Sequence, residues 1–550
     1  MSNGLSLVHG APLASEPGQG AQTIPGYLDE VCARYGAAQA VVMHGAGGRS
    51  EWNYVELRTH SFGIAKALIA AGLGKGGRVG VLMANRPEWL AALFGIAVAG
   101  GVTVALSTFS TRDELAHLLD VAAPDILLFD AQVLKQDFAA MLGDLRPAAR
   151  LVLLNSVTGD TASAGERSVG IKPWTAFLES GAGVSDAQLA ERTSAVKPDD
   201  TAAVFFSSGT TALPKGIIHA HRAFCIQWWR WPQVFAMREP VRSWTGNGFF
   251  WSGNVSMTVG TAFSTGGAVI LQPVFDAEAA LRAIEEECVT FLSGRPHQWA
   301  RVHAAANWPS ADLSSLKYVT KGDLITEHPS VATEWTTPGA FGTTETMTIC
   351  TAFDADTSAA DYAGSSGAPL PGNSLKIVDP LTRAIVPIGT SGEMCIKGPT
   401  LMQGYLGKPT AECFDNNGFY CTGDGGHVDA AGRFFWEGRL TAMIKTGGAN
   451  VSPDEVDAIA ANFPGVKRSQ TVGVPDDLLG EIVVSCIVPL EGAHVDAAQI
   501  SAHLKTRLAA FKVPRQILFF TDADFAMTGN EKPMVAAIKA KAAEMLAENA

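Results

Sequence analysis

Residues 205–216 read FFSSGTTALPKG, and the reading of the whole chain turns on them. They continue a run of strand formers, Ala202, Ala203, Val204, Phe205 and Phe206, which predicts a buried strand ending in a loop. Four hydroxyls (Ser207, Ser208, Thr210, Thr211), two glycines (Gly209, Gly216) and Lys215 then fall within a few positions. Glycines let backbone N–H groups approach anionic oxygens, while hydroxyls and an ammonium complete a cradle, so the loop suits a polyphosphate. It is not a GxxxxGK[ST] loop, because Lys215 follows proline and precedes glycine. Ordinary turns collect the same residue types, so this loop alone leaves a plain surface turn open.

Upstream, the chain alternates apolar strands and helices. Strands are predicted over 77–85, 100–107 and 125–129, with helices over 88–99 and 112–121 between them. That alternation is the pattern of layered α/β units with parallel strands. Residues 27–73 read as helices around a short hairpin, and 1–24, rich in Gly, Ser, Ala and Pro, as a loose leader. Just downstream, Trp228, Trp229 and Trp231 crowd into four positions. They either pack a helix into a seam or wall an apolar pocket, and both readings stay open.

Composition narrows the classes. A chain of 550 residues suggests more than one domain, and 47% hydrophobic with 17% charged residues supplies a large core rather than disorder. A net charge of -13 argues against a general nucleic-acid binder, though not against nucleotide phosphates. The 8 cysteines show no CxxC pair or zinc spacing, which predicts free buried thiols and no disulfide framework. No apolar run is long enough to span a membrane and the N-terminus lacks a secretory pattern, so a cytoplasmic protein is the expectation.

Three further stretches carry chemistry. FGTTET at 341–346 places an aromatic ring, hydroxyls and a carboxylate together. YCTGDGGHVDAAGRFFWEGRLTAMIKTGGANVSP spans 420–453, and TGNEKPM spans 528–534. With the phosphate loop, they resemble the adenylate-forming superfamily, which includes acyl-CoA synthetases, peptide-synthetase adenylation domains and luciferases. The likeness runs from about Thr23 to Lys539 and is closest to acyl-CoA synthetases. It implies a large α/β N-terminal domain of layered sheets and helices over 1–438. A small mobile α+β domain follows over 439–550.

The resemblance also implies residue roles. Ser207, Ser208, Gly209, Thr210, Thr211 and Lys215 would cradle the phosphates of ATP. Phe341, with Gly342 and Thr343, would offer a face to the purine. Thr344 would donate to the α-phosphate and Glu345 would hold Mg²⁺. Asp424 would accept the ribose hydroxyls, with Arg439 on the other side. Gly447 and Gly448 would leave room for the pantetheine of coenzyme A. Lys532 would be the catalytic lysine of acid activation.

Departures from the family pattern are specific. Ala212 replaces a loop glycine and Phe341 a commoner tyrosine. Residues 321–325, KGDLI, stand where relatives carry an adenine contact. Ala442 replaces a polar hinge residue, and Glu531 precedes Lys532. Trp251 stands where relatives have a histidine, which makes the acid end, with Asn254 and Val255, bulkier and less polar. The expected activity is an ATP-dependent carboxylic acid–CoA ligase working through an acyl-adenylate on an apolar, medium-chain or aromatic acid. The protein would act as a monomer or homodimer. A carrier-protein-loading enzyme, a luciferase-like oxygenase and a non-catalytic nucleotide-binding protein of the same fold are the rivals.

Overall fold

The strand Thr201–Ser207 forms where four buried apolar side chains, Ala202 to Phe205, need cover on both faces. It joins an eight-stranded sheet in the order Ile171–Pro173, Arg150–Leu153, Ile126–Phe129, Arg78–Leu82, Val102–Ala105, Thr201–Ser207, Lys215–Ala220, Gly404–Tyr405. Pairings are parallel as far as Thr201–Ser207 and antiparallel beyond it. The helix Pro87–Val98 is apolar on every side and buried almost throughout, as expected for a helix inside a layered domain. A second sheet runs Phe291–Ser293, Arg242–Thr245, Ala268–Leu271, Gln39–Gly45, Gly48–Asn53, its last pair being the hairpin expected near the N-terminus.

The computed structural model describes residues 4–45, 47–154, 170–207, 214–294, 296–337, 339–353, 357–358, 364–440, 443–446, 449–476, 479–508, 512–527 and 533–548. The chain forms two compact units: a larger one of 9–374 and 397–420, and a smaller one of 1–8, 375–396 and 421–550. The smaller unit holds one sheet built from Leu7–His9, Ser374–Val378, Gly392–Lys397, Tyr420–Val428 and Phe434–Arg439. A second is built around Val466–Asp476 and Gly480–Pro489, with the helices Pro453–Ala460, Ala497–Lys505 and Val535–Glu548. All of 439–550 lies in the smaller unit.

One expectation is corrected here and one open choice is decided. A disulfide joins Cys395 and Cys421, where free thiols were expected. Their strands, Gly392–Lys397 and Tyr420–Val428, are sheet neighbours. A separation of 26 residues gives no sign of that in spacing. Cys225, Cys413 and Cys486 remain buried thiols. For the tryptophans, of the two open readings the structure shows core packing. Trp228 and Trp231 are fully buried and donate to the carbonyls of Val255 and Ser256 at 3.3 and 2.9 Å, while Trp229 donates to Ala21 at 3.1 Å. Tyr27 lies against both Trp228 and Trp229 with ring centres 4.7 and 4.6 Å apart. Burying such rings is favourable only with the indole N–H satisfied, and here each one is.

Within the smaller unit, the half-buried Asp457 ties the helix Pro453–Ala460 to the strand Val466–Asp476. It accepts from Ser469 Oγ and Thr471 Oγ1 at 2.7 Å each and from the Thr471 backbone at 2.9 Å. Asp457→Ala would strand these donors, and a loss of about 3 kcal/mol is expected. Denaturant unfolding of that unit checks it, and a shift below 1 kcal/mol would sink the clamp.

Among the described residues no helix is long and apolar enough to cross a membrane.

Candidate active site

Ser207 and Lys215 face each other across the antiparallel pair Thr201–Ser207 and Lys215–Ala220. The described residues on either side of 208–213 are therefore held together by a ladder. Ser208, Gly209, Thr210 and Thr211 lie outside the described residues. Pro214, next to Lys215, offers its carbonyl to His117 Nε2 at 3.3 Å. Lys215 itself is exposed, with its ammonium 5.8 Å from the ring centre of Tyr405.

The strand Lys215–Ala220 also fixes the FGTTET segment. His219, two turns of the pleat beyond Lys215, is fully buried and its Nε2 donates to the Thr344 carbonyl at 2.8 Å. Burial holds this imidazole neutral, with its pKa pushed down to about 4 against a weaker upward pull from the Thr344 bond. On the strand's other edge, Ile217 pairs with Tyr405. The Tyr405 hydroxyl donates to Glu345 Oε1 at 2.9 Å and lies 3.0 Å from the Tyr420 hydroxyl. Burial and the Glu345 carboxylate push the Tyr405 hydroxyl's pKa well up, so it stays a donor. The Met402 N–H donates to the Glu345 carbonyl at 2.7 Å. One strand thus gathers Lys215, Thr344 and Glu345 within a single unit.

The turn carrying Glu345 is shaped by local geometry. Phe341, Gly342 and Thr343 lie on the strand Ala340–Thr343, which returns as Thr348–Ala352. A Cβ on Gly342 would sit 2.0 Å from the Thr348 carbonyl, so only glycine allows the approach. Met347 (φ 49°) and Thr348 (φ 79°) take left-handed conformations uncommon for such residues. The buried Gln227 compensates, its Nε2 donating to the Met347 and Ile349 carbonyls at 2.8 Å each. Non-glycine strain of this kind gathers at functional sites. Glu345 and Thr344 offer hard oxygens and, among the described residues, no group of three or more His, Cys, Asp or Glu could hold a metal. Those hard oxygens fit Mg²⁺ carried on nucleotide phosphates.

At the expected acid end, Trp251 is half-buried, with Phe250 and Phe109 at 4.7 and 6.0 Å between ring centres. Asn254 is buried and engaged: its Oδ1 accepts from Thr245 and Thr258, and its Nδ2 donates to the Asn247 carbonyl. Val255 is fully buried at the start of the π-helical segment Val255–Val259.

In the smaller unit, Asp424 and Arg439 are partners across the strands Tyr420–Val428 and Phe434–Arg439. Arg439 Nε lies 3.2 Å from Asp424 Oδ1, and Arg439 Nη1 donates to the Thr422 carbonyl at 2.9 Å. Asp424 is 3% exposed and Arg439 45%, so the pair joins a buried carboxylate to a half-exposed guanidinium. Gly447, Gly448, Ala442, Glu531 and Lys532 lie outside the described residues. The ends of the lysine segment are described: Met527 and Pro533 are bridge partners, and the Met534 N–H donates to the Ala526 carbonyl at 2.9 Å. Sequence reasoning missed His219, Gln227, Tyr405 and Tyr420. Of these, only His219 and Gln227 had a signal, as polar residues inside an apolar run.

The AMP-binding enzyme family model matches residues 28–406, and the AMP-binding enzyme C-terminal domain model matches 455–532. A 3-[(3aS,4S,7aS)-7a-methyl-1,5-dioxo-octahydro-1H-inden-4-yl]propanoyl:CoA ligase of Mycobacterium tuberculosis is 32% identical over 509 residues, 90% of this chain and 95% of that protein. An indoleacetate–CoA ligase of Aromatoleum aromaticum is 31% identical over 465 residues, 84% of this chain and 87% of that protein. In fold, the chain is similar to ATP-bound MatB from Rhodopseudomonas palustris, with a TM-score of 0.76, 24% identity and coverage of 95% of this chain and 99% of that one. The chain belongs to the AMP-binding, adenylate-forming enzyme family and is most like its acyl-CoA synthetases.

Proposed function

We propose that this protein joins an apolar, medium-chain or aromatic carboxylic acid to coenzyme A at the expense of ATP, through an acyl-adenylate. The observation that supports the reading is the strand Lys215–Ala220, which begins at Lys215 and is linked to Glu345 through Tyr405 and to Thr344 through His219. A carboxylate oxygen attacks the α-phosphorus of ATP, the bond to the β-phosphate oxygen breaks, and pyrophosphate leaves. Coenzyme A sulfur then attacks the acyl carbon, the thiol proton is lost, and AMP departs. Both steps concentrate negative charge, so positioning and electrostatics carry the rate.

Lys215 and the loop hydroxyls steady the phosphates, and Thr344 donates to the α-phosphate. Mg²⁺, held by Glu345, offsets charge on pyrophosphate when bound. Asp424 and Arg439 take the ribose, and Phe341 faces the purine. Lys532 serves the first step and the turn at Gly447 and Gly448 the second. Trp251, with Phe250 and Phe109, supports an acid with a bulky apolar body, and the relatives above are named for fused-ring and indole acids. The same reading makes the protein cytoplasmic, a monomer or homodimer, where ATP and coenzyme A are at hand.

The test is AMP release with aliphatic, aryl and arylalkyl acids, with and without free coenzyme A. Coenzyme A-dependent release with a ring-bearing or medium-chain acid is expected. Acyl-adenylate formation that ignores free coenzyme A would favour the carrier-protein reading. ATP binding without exchange on any acid would favour a non-catalytic protein.

Tyr405→Phe gives a finer check. Losing one hydroxyl donor to a carboxylate should raise the Mg²⁺ concentration for half-maximal exchange roughly tenfold. Mn²⁺ affinity in the presence of ATP should fall in parallel by electron paramagnetic resonance. Unchanged metal dependence would remove Tyr405 from the positioning of Glu345.

A further inference from the structure

The ribose carboxylate of the proposed function has a neighbour that sequence alternation hides. Asp424 and Gly426 lie on one face of the strand Tyr420–Val428. In a regular ladder with Asp424 opposite Arg439, Gly426 would face residue 437. Instead Gly425 pairs with Gly438 and Gly426 with Trp436, a register shift that leaves Glu437 as the extra residue of a β-bulge. The bulge turns Trp436 onto the Asp424 face. Glu437 points the other way, where it accepts from Ser391 Oγ at 2.9 Å and lies 2.6 Å from His427 Nδ1. His427 stacks on Phe435 on that same opposite face, with ring centres 4.8 Å apart.

The bulge has a built cause. A Cβ on Gly426 would lie 2.3 Å from the Phe435 carbonyl and 2.6 Å from the Phe434 ring, so the position opposite Trp436 admits no side chain. The outcome is that Trp436 Nε1 donates to Asp424 Oδ1 at 3.0 Å, on the oxygen that also faces Arg439 Nε at 3.2 Å. The Asp424 backbone N–H in turn donates to Thr422 Oγ1 at 3.0 Å, and Thr422 Oγ1 donates to the Met394 carbonyl at 3.0 Å. Trp436 is 41% exposed, with its indole N–H engaged on Asp424.

We propose that Trp436 is a positioning residue for nucleotide binding: the bulge presents its indole N–H to Asp424 and holds that carboxylate in the orientation that accepts the ribose hydroxyls. The inference rests on Asp424 being the ribose acceptor. A rigid indole costs little conformational freedom to hold in place, and a hydrogen bond to a charged acceptor is strong enough to select one carboxylate rotamer. Arginine alone would leave a mobile partner on an exposed stem.

The experiment compares ATP with 2′,3′-dideoxy-ATP in wild type, Trp436→Phe, Trp436→Gln and Asp424→Asn, reading kcat and KM together with AMP and dideoxy-AMP affinity by calorimetry. Trp436→Phe keeps a ring but loses the N–H. It should raise KM for ATP and weaken AMP binding about tenfold, with kcat within about twofold. Its penalty should vanish with the dideoxy nucleotides, and Trp436→Gln, which restores a donor, should recover part of the loss. An equal penalty with both nucleotide types would mean a merely structural role and overturn the proposal. So would no penalty at all. Asp424→Asn separates the two levels. If the Asp424→Asn penalty is larger with ATP than with the dideoxy nucleotide while the Trp436→Phe penalty is not, only the positioning role fails; if the Asp424→Asn penalty is the same with both, the ribose assignment fails and takes this inference with it.

Discussion

Lys532→Ala is expected to lower acid-dependent ATP–pyrophosphate exchange roughly a thousandfold, the usual scale for removing one preorganised charge at a transition state. Thiolysis of a preformed acyl-adenylate should stay within a few-fold of wild type. The split follows from the charge balance. Adenylation brings an anionic acid to a polyanion, so a cation between carboxylate and α-phosphate lowers the barrier; thiol attack on a mixed anhydride has no such need. The C-terminal family match ends at residue 532. The bridge between Met527 and Pro533 ties down both ends of the segment that carries the lysine. Lys541→Ala is the control, because Lys541 is committed to Glu544 at 3.0 Å on the helix Val535–Glu548. Equal loss of both half-reactions in Lys532→Ala would show a folding defect. Full exchange activity would remove Lys532 from catalysis.

The second large effect is a pH response of opposite sign in the two units. In the larger unit, burial pushes His219 and His221 down to about 4 from 6.5. His219 is tied to the Thr344 carbonyl, and His221 Nδ1 accepts from the Ile24 N–H at 3.4 Å. Both are neutral in the fold, while the unfolded chain takes up protons below 6.5. Their contribution is therefore present above 6.5 and lost as pH falls toward 4, about 3 kcal/mol for each when complete.

Asp457 in the smaller unit behaves the other way. Burial pushes its carboxyl up to about 6, against the lowering effect of its bonds from Ser469 and Thr471. A raised carboxyl adds stability that is present below 3.8 and lost as pH rises through about 6. Hydrogen exchange, corrected for the intrinsic rate, should thus show residues 215–221 less protected at pH 5 than at pH 7. Residues 453–471 should show the reverse. His219→Gln keeps a donor for Thr344 and should remove about half of the first response. The same response in that variant as in wild type would exclude His219 as its source.

Much of the site was legible because its chemistry is local. Ser207 and Lys215, Thr344 and Glu345, and Asp424 and Arg439 each stand in short stretches whose residue types announce phosphate, hydroxyl or cation recognition. The strand and helix order was legible for a similar reason, since buried parallel strands and an all-apolar helix leave continuous hydrophobic runs. Helix ends are less legible: Leu504 and Leu508 continue a helical spacing past the end of Ala497–Lys505, where Thr506 Oγ1 bonds back to the His503 carbonyl.

Residue order by itself determined the family, the strand–helix sequence and the residues proposed to meet a nucleotide, because each depends on side-chain type or on short-range period. Only the tertiary structure decided that Tyr405 reaches Glu345 from 60 residues away, that Cys395 meets Cys421, and that the tryptophans at 228–231 fill the core. It also decided that one extra residue in a strand turns Trp436 toward Asp424. Those contacts depend on which strands lie side by side and in what register, and a one-residue slip reverses the face a side chain shows.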